Sequence, residues 1–169
     1  MGPVYAEIEI DAPREVIFDY LLDINTRARL FDGAIEDFRL LRLESRGVGA
    51  GARFRFKRRS AWNDTAITAV DRPSRISERG ATGRLNRNRT GFEWEIAERP
   101  NGVSVVRLSY WIDPYGVYRY FQRLTGGSRW YGRQLHRALT NLRDLIEAEA
   151  TATEQMAVAG GNRYRTGIL

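Results

Sequence analysis

The chain has 169 residues, of which 43% are hydrophobic, and this is enough apolar material for one domain with a buried core. It contains no cysteine and a single histidine, His136, which excludes disulfides, thiolate zinc sites, cysteine nucleophiles and multi-histidine metal centres. The net charge of +6 comes from 27 basic and 21 acidic residues, and the arginines are spread along the chain without a dense tract. Lys57 is the only lysine, and this preference for arginine looks like an effect of genome composition. Because a surface that contacts phosphates has no reason to avoid lysine, the preference argues against nucleic acid as a partner.

The rest of the composition indicates a single soluble domain without metal or other cofactor. No apolar run is long enough to cross a membrane, and the first residues lack the regions of a signal peptide, so we expect a cytoplasmic protein. Residues 1–150 are predicted to form the domain. Residues 151–169 contain few large apolar groups and are predicted to form a C-terminal tail.

The first elements are a strand and two short helices. From Val4 to Asp11 apolar and polar residues alternate, as a half-buried strand requires. Asp11 and Pro13 then supply a capping carboxylate and a proline suited to a first helical turn. Apolar residues at helical spacing from Val16 to Leu22 predict a helix, and the segment from Asn25 to Gly33 predicts a second, shorter one.

Short strands separated by turn residues follow, which is typical of an antiparallel sheet and not of alternating strands and helices. Six are predicted: Ile35 to Glu44, Ala52 to Lys57, Ser60 to Asp71, Arg75 to Ala81, Thr90 to Glu98 and Val103 to Asp113. Glu93 and Glu95 fall on the outward face, as do Arg53 and Arg55. We expect these charges to pair across strands.

A long helix is predicted to close the domain, beginning near Ser128. Its apolar residues fall on one stripe: Tyr131, Leu135, Ala138, Leu139, Leu142, Leu145 and Ile146. This stripe should lie against the concave face of the sheet. His136 falls outside the stripe, so we expect it to face solvent or the sheet edge and not to act in catalysis.

The order of elements is that of an α+β helix-grip fold. Three segments and the closing helix carry a family resemblance: residues 8–23 with Asp11-Ala12-Pro13, residues 49–54, and residues 70–76 with Arg72-Pro73. On these the chain resembles the START/Bet v 1-like (SRPBCC) superfamily, and within it the bacterial polyketide cyclase/dehydrase-like proteins. The resemblance implies a curved seven-stranded antiparallel sheet wrapped around the C-terminal helix, with an apolar cavity for a hydrophobic ligand between them.

The inward faces of the predicted strands are rich in aromatic side chains. Candidate ligand-binding residues are Phe54, Phe56, Trp62, Phe92, Trp94, Leu108, Tyr110, Tyr131 and Leu135. Two interpretations stay open for the rings: they line a ligand chamber in which the Tyr110 hydroxyl orients a polar group, or they fill the core beneath the helix. Trp62 begins its strand near a rim, where it meets an entering ligand or belongs to a turn. The basic segment from Gly83 to Arg89 is interpreted as an anion site or as a solvated loop.

These observations favour binding of a hydrophobic or aromatic small molecule of lipid, isoprenoid or polyketide type. One alternative is an enzyme of the cyclase/dehydrase type, in which Tyr110 or a buried arginine polarises a substrate carbonyl. Another is an interaction module that uses a basic exterior. The sequence offers no serine–histidine–aspartate set, phosphate-binding glycine loop or carboxylate cluster with metal spacing, so a hydrolase, kinase or metalloenzyme has no support.

Overall fold

A computed structural model describes residues 2–57, 61–100, 102–115 and 127–161. Its strands are β1 Val4–Ile10, β2 Ile35–Leu40, β3 Gly51–Phe56, β4 Trp62–Asp71, β5 Arg75–Thr82, β6 Asn88–Glu98 and β7 Ser104–Asp113. Its helices are α1 Arg14–Leu21, α2 Thr26–Leu30 and α3 Gly127–Gly161, and a short 3-10 turn spans Arg84–Asn86.

The strands form one antiparallel sheet in the order β1-β7-β6-β5-β4-β3-β2. The sheet curls so that α3 packs against β1, β7 and α2, while α1 packs against β6. The α+β helix-grip prediction, with seven antiparallel strands and two short helices between the first and second strands, is confirmed.

The period-two pattern of the strands divides the sheet into a concave core face and a convex outer face. Along β3, Ala52, Phe54 and Phe56 are buried while Arg53 and Arg55 between them are only partly covered. In β6, Phe92, Trp94 and Ile96 are buried in the same way. The register pairs Trp94 with Leu108 and Phe92 with Tyr110, so the large side chains of adjacent strands meet on the concave side.

Helix α3 presents its apolar stripe to this concave face, as predicted. Tyr131, Leu135, Ala138, Leu139, Leu142 and Ile146 are all buried, and Leu145 is partly buried against them. His136 is exposed on the opposite side, in agreement with its predicted position. The helix continues to Gly161, so the segment 151–161 that the sequence assigns to a tail extends the helix, and residues 162–169 lie outside the described residues.

The convex face carries ion pairs, but with partners other than those predicted. Glu93 lies 3.9 Å from Arg75 and 3.5 Å from Arg79, both on the adjacent strand β5. Arg53 pairs instead with Asp64 of β4. The predicted pairing of Glu93 with Arg53 is wrong because β4 and β5 separate β3 from β6 in the sheet.

On the convex face, the side chains of Trp111 and Arg79 stack over Gly91. Gly91 pairs in register with Trp111, whose indole ring lies over the glycine. The guanidinium carbon of Arg79 is 5.5 Å from the centre of that ring. A Cβ atom at position 91 would be only 2.6 Å from Trp111 Cε2, so the ring can lie here only because residue 91 has no side chain.

Candidate ligand-binding site

Seven aromatic rings meet between the concave face of the sheet and the first turns of α3. They belong to Phe31, Phe54, Phe56, Phe92, Tyr110, Trp130 and Tyr131, and we call them the aromatic cluster. Phe31 follows α2 directly, three strands supply four of the rings, and α3 supplies the last two. Elements far apart in sequence therefore converge on one aromatic volume.

Phe56 lies at the centre of the aromatic cluster. Its ring centroid is 5.3 Å from that of Phe54 and 5.5 Å from that of Tyr131, and both rings stand nearly perpendicular to it. Tyr110 is tilted by 30° against Phe92 at 4.4 Å. These edge-on and tilted arrangements are the ones that the quadrupoles of aromatic rings favour. The rings thus pack directly against one another.

The outer end of the aromatic cluster is Trp130. Its ring contacts Phe56 at 5.7 Å and Tyr131 at 4.9 Å, yet the residue is only partly buried. The other rings of the cluster are buried. Solvent therefore reaches the cluster at the first turns of α3.

A buried ion pair lies beside the aromatic cluster. Arg27 of α2 approaches Glu78 of β5, with Nη2 and Nε at 2.8 and 2.9 Å from the same carboxylate oxygen, Oε1. The side chains are 3% and 1% exposed. Glu78 is paired in register with Phe92, which places the carboxylate next to the rings.

Hydrogen bonds from the surroundings satisfy both charges. Trp94 Nε1 donates to Glu78 Oε1 at 2.9 Å, and the Thr65 hydroxyl donates to Oε2 at 3.1 Å. Arg27 also donates to the Leu21 carbonyl at 2.8 Å and to the Thr26 hydroxyl at 2.9 Å. Its guanidinium lies 4.7 Å from the centre of the Trp94 ring. We call Arg27, Glu78, Thr65 and Trp94 the polar network; buried charges persist only with such partners.

Further small polar side chains face inward on β4, β5 and β6. Asn63, Thr82 and Thr90 are buried there. Asn63 Nδ2 donates to the Ala61 carbonyl at 3.2 Å, and the Thr82 hydroxyl donates to the Trp62 carbonyl at 2.8 Å. One part of the concave face is therefore aromatic and the neighbouring part can form hydrogen bonds.

The structure brings together most of the residues predicted to bind a ligand. Five of them belong to the aromatic cluster: Phe54, Phe56, Phe92, Tyr110 and Tyr131. Leu108 and Leu135 are buried in the same core, and Trp94 is a donor in the polar network. Trp62 lies apart, on the convex face, where the guanidinium carbons of Arg55 and Arg53 are 5.0 and 5.9 Å from its ring centre.

Sequence reasoning did not find the Arg27–Glu78 pair. Alternation along β5 does place Glu78 on the same face as buried Ile76, and that signal was available. Its partner, however, lies 51 residues away on a helix of five residues. Local periodicity cannot reveal such a contact.

The other candidate groups lie on the outside of the domain. In the basic segment 83–89, Asn86 donates to Asp64 Oδ2 at 2.9 Å, so this side chain is bound to a carboxylate of the protein. Hydrogen bonding from Arg53 lowers the pKa of Asp64 against the opposing effect of its partial burial. Across the described residues, no group of three or more histidine, aspartate or glutamate side chains could hold a metal ion, and no helix could span a membrane.

The curled sheet, the gripped helix and the apolar interior between them define a helix-grip protein. A family model described as "Polyketide cyclase / dehydrase and lipid transport" matches residues 1–147, and the chain belongs to this family. A comparison with curated protein sequences gives no match.

Solved structures share the fold at low sequence identity. The NMR structure of the KanY protein has a TM-score of 0.65 at 19% identity, covering 87% of this chain and 99% of that one. TTHA0849 from Thermus thermophilus has a TM-score of 0.64 at 14% identity, covering 88% and 99%. The hypothetical protein jhp0584 from Helicobacter pylori has a TM-score of 0.66 at 10% identity, covering 86% and 88%. At these identities the likeness concerns the fold alone.

Proposed function

We propose that the protein binds a hydrophobic or aromatic small molecule, of lipid, isoprenoid or polyketide type, between the concave face of the sheet and α3. The observation that carries the proposal is the aromatic cluster, which extends from the centre of the core to partly exposed Trp130. An apolar ligand that enters beside Trp130 replaces ring–ring contacts by similar ring–ligand contacts, and its removal from water favours binding.

The neighbouring polar side chains indicate what such a ligand carries. Asn63, Thr82 and Thr90 are buried on the inward face, where an apolar core would ordinarily hold aliphatic groups. Hydroxyl and amide oxygens accept further hydrogen bonds beyond the ones that these groups donate. An aromatic ligand with hydroxyl or carbonyl substituents matches this combination of rings and small polar groups better than a plain hydrocarbon chain does.

The contacts of the polar network favour ligand binding over catalysis as the function. The enzyme alternative requires a buried arginine that polarises a substrate carbonyl. Arg27 is such a buried arginine, but Nε, Nη1 and Nη2 each donate to a protein oxygen already. Its contact with Glu78 fastens α2 to the sheet and its hydrogen bond to the Leu21 carbonyl fastens α2 to α1, which is a structural role.

Two half-buried tryptophans on opposite faces provide a matched test. Trp130→Ala removes a ring from the outer end of the aromatic cluster, whereas Trp62→Ala removes one from the convex face. With the uncharged fluorescent probe N-phenyl-1-naphthylamine, we expect Trp130→Ala to weaken binding about tenfold, which corresponds to about 1.4 kcal/mol. Trp62→Ala should leave the affinity unchanged, and neither affinity should depend on salt.

Circular dichroism of both variants establishes that they are folded. Equal probe affinities for the two variants and the unaltered protein would refute the proposed site, and a loss confined to Trp62→Ala would move it to the convex face. Native mass spectrometry of the freshly purified protein then identifies the class of any molecule that it retains.

A further inference from the structure

The end of β2 and the connection from β2 to β3 expose several large apolar side chains. Leu40, Leu41, Leu43 and Val48 are all exposed, and we call residues 39–48 the leucine loop. Leu43 is 102% exposed, more than any other large apolar side chain among the described residues. It therefore projects from the body of the protein with every side accessible. Contiguous exposed apolar groups of this kind mark surfaces that bind a partner or a membrane.

Backbone hydrogen bonds hold the leucine loop in place. The Ile24 amide donates to the Ser45 carbonyl at 2.8 Å, and the Gly47 amide donates to the Leu22 carbonyl at 3.1 Å. Directly after the loop, the Gly49 amide donates to the Ile67 carbonyl at 2.8 Å. The apolar tip is thus presented by a fixed loop, so little ordering has to accompany its burial.

The leucine loop is also basic. It contains Arg39, Arg42 and Arg46 against a single carboxylate of its own, Glu44, which gives +2, and Arg46 lies 3.9 Å from the Asp19 carboxylate of α1. Arg39 is paired in register with Arg53, whose charge is balanced by Asp64 of β4, so the excess positive charge comes from the arginines of the loop itself. A projecting apolar tip with Arg39 and Arg42 close to it in sequence is complementary to a lipid surface with anionic headgroups.

We propose that the leucine loop docks on an anionic lipid bilayer, with Leu43 inserted among the acyl chains and the arginines at the headgroups. A projecting tip buries all of its sides in a bilayer, whereas a flat protein surface would cover only one. The adjoining edge strand β2 is protected against addition of a second copy. It has a bulge between Glu36 and Arg39, where Asp37 adopts a φ of 56°.

Sedimentation with lipid vesicles tests this proposal on the full chain. Phosphatidylcholine vesicles that contain phosphatidylglycerol should pellet the protein, and those of phosphatidylcholine alone should pellet much less. Leu43→Ser should weaken binding to the anionic vesicles about tenfold, since one buried leucine is lost. Arg42→Gln should weaken it about fivefold, as expected for one basic group near the surface.

The matched control is Leu85→Ser. Leu85 is 74% exposed, but it lies in the connection between β5 and β6 at the other end of the sheet. This change should leave vesicle binding unaltered. Equal pelleting of Leu43→Ser and the unaltered protein would overturn the proposal, and so would a dimer in light scattering that Leu43→Ser abolishes. Because Leu43 is remote from the aromatic cluster, the affinity for N-phenyl-1-naphthylamine should not change, so this inference stands or fails separately from the proposed function.

Discussion

Two ion pairs on opposite faces of the sheet have nearly the same separation and very different surroundings. On the concave side, Arg27 and Glu78 are 2.8 Å apart with side chains 3% and 1% exposed. On the convex side, Arg53 and Asp64 are 2.6 Å apart with side chains 42% and 21% exposed. Water and salt screen the convex pair, whereas the concave pair depends entirely on protein groups. Distance alone therefore does not tell how much an ion pair matters to the fold.

The buried pair matters to stability because removal of one member leaves the other charge buried without its partner. Both charges lose their hydration on folding. Trp94 and Thr65 donate hydrogen bonds to the Glu78 carboxylate, so they compensate for this lost hydration only while Glu78 is present. The pair also joins α2 to the middle of the sheet, beside the rings of the aromatic cluster. Substitutions on the two faces can therefore distinguish an ion pair that stabilises the fold from one that lies on a solvated surface.

The largest effect is expected from Glu78→Ala, which leaves Arg27 buried without its counter-charge. Removal of one partner of a buried ion pair costs about 3–5 kcal/mol of unfolding free energy. Urea denaturation followed by circular dichroism measures this loss. The double change Arg27→Met with Glu78→Leu should recover much of it, because no unpaired charge remains. A loss below about 1 kcal/mol in Glu78→Ala would show that the pair does not stabilise the fold.

A smaller effect is expected from Trp94→Phe, which keeps a ring but removes the indole donor. Glu78 then loses one hydrogen bond in a buried site, and the smaller ring leaves some space, so the unfolding free energy should fall by about 1–3 kcal/mol. Trp94→Ala should cost more, about 3–5 kcal/mol, if the ring is packed core. Equal effects of the two changes would mean that the donor, and not the ring, carries the stabilisation.

On the convex face, Asp64→Asn should cost only about 0.2–1 kcal/mol. Its pH dependence is specific, because the hydrogen bond from Arg53 lowers the pKa of Asp64 below the ordinary value of 3.8. A lowered carboxyl pKa stabilises the folded protein above that ordinary value, and this stabilisation is lost as the pH falls through the lowered one. The difference in unfolding free energy between the two proteins should therefore be constant near neutral pH and shrink in acid. A constant difference down to strongly acidic pH would contradict the assignment.

Glu95→Ala should have the smallest effect. Glu95 is exposed on the convex face, beside Trp94 in sequence but on the other side of the sheet. Its removal should change the unfolding free energy by less than about 0.5 kcal/mol and leave the probe affinity unaltered. Loss of probe binding would mean that the faces of β6 have been assigned the wrong way round.

The sequence predicted those parts of the molecule that depend on local periodicity. Alternation along β3 and β6 identified Phe54, Phe56, Phe92 and Trp94 as inward, and helical spacing identified the buried stripe of α3. Each of these patterns is decided by whether a residue faces the core or water. The resemblance to helix-grip proteins then supplied the arrangement of the elements.

The sequence did not predict contacts that depend on which elements become neighbours. Glu93 was expected to meet Arg53, yet two strands separate them. Arg27 and Glu78 were not connected at all, because a helix of five residues and a strand meet only after the sheet has curled. Trp62 was placed near the ligand, although the register with Arg55 puts it on the convex face. Pairing partners are a property of topology, which single-strand patterns do not encode.

The stack of Trp111 on Gly91 constrains how this sequence can change over evolutionary time. With the ring in place, even a methyl group at position 91 would lie 2.6 Å from it, so almost any mutation of the glycine alone meets a steric barrier. A lineage can acquire a side chain at 91 only after the indole at 111 has been replaced by something smaller. Across relatives, the two positions are therefore expected to co-vary, with the tryptophan found only where the glycine is retained.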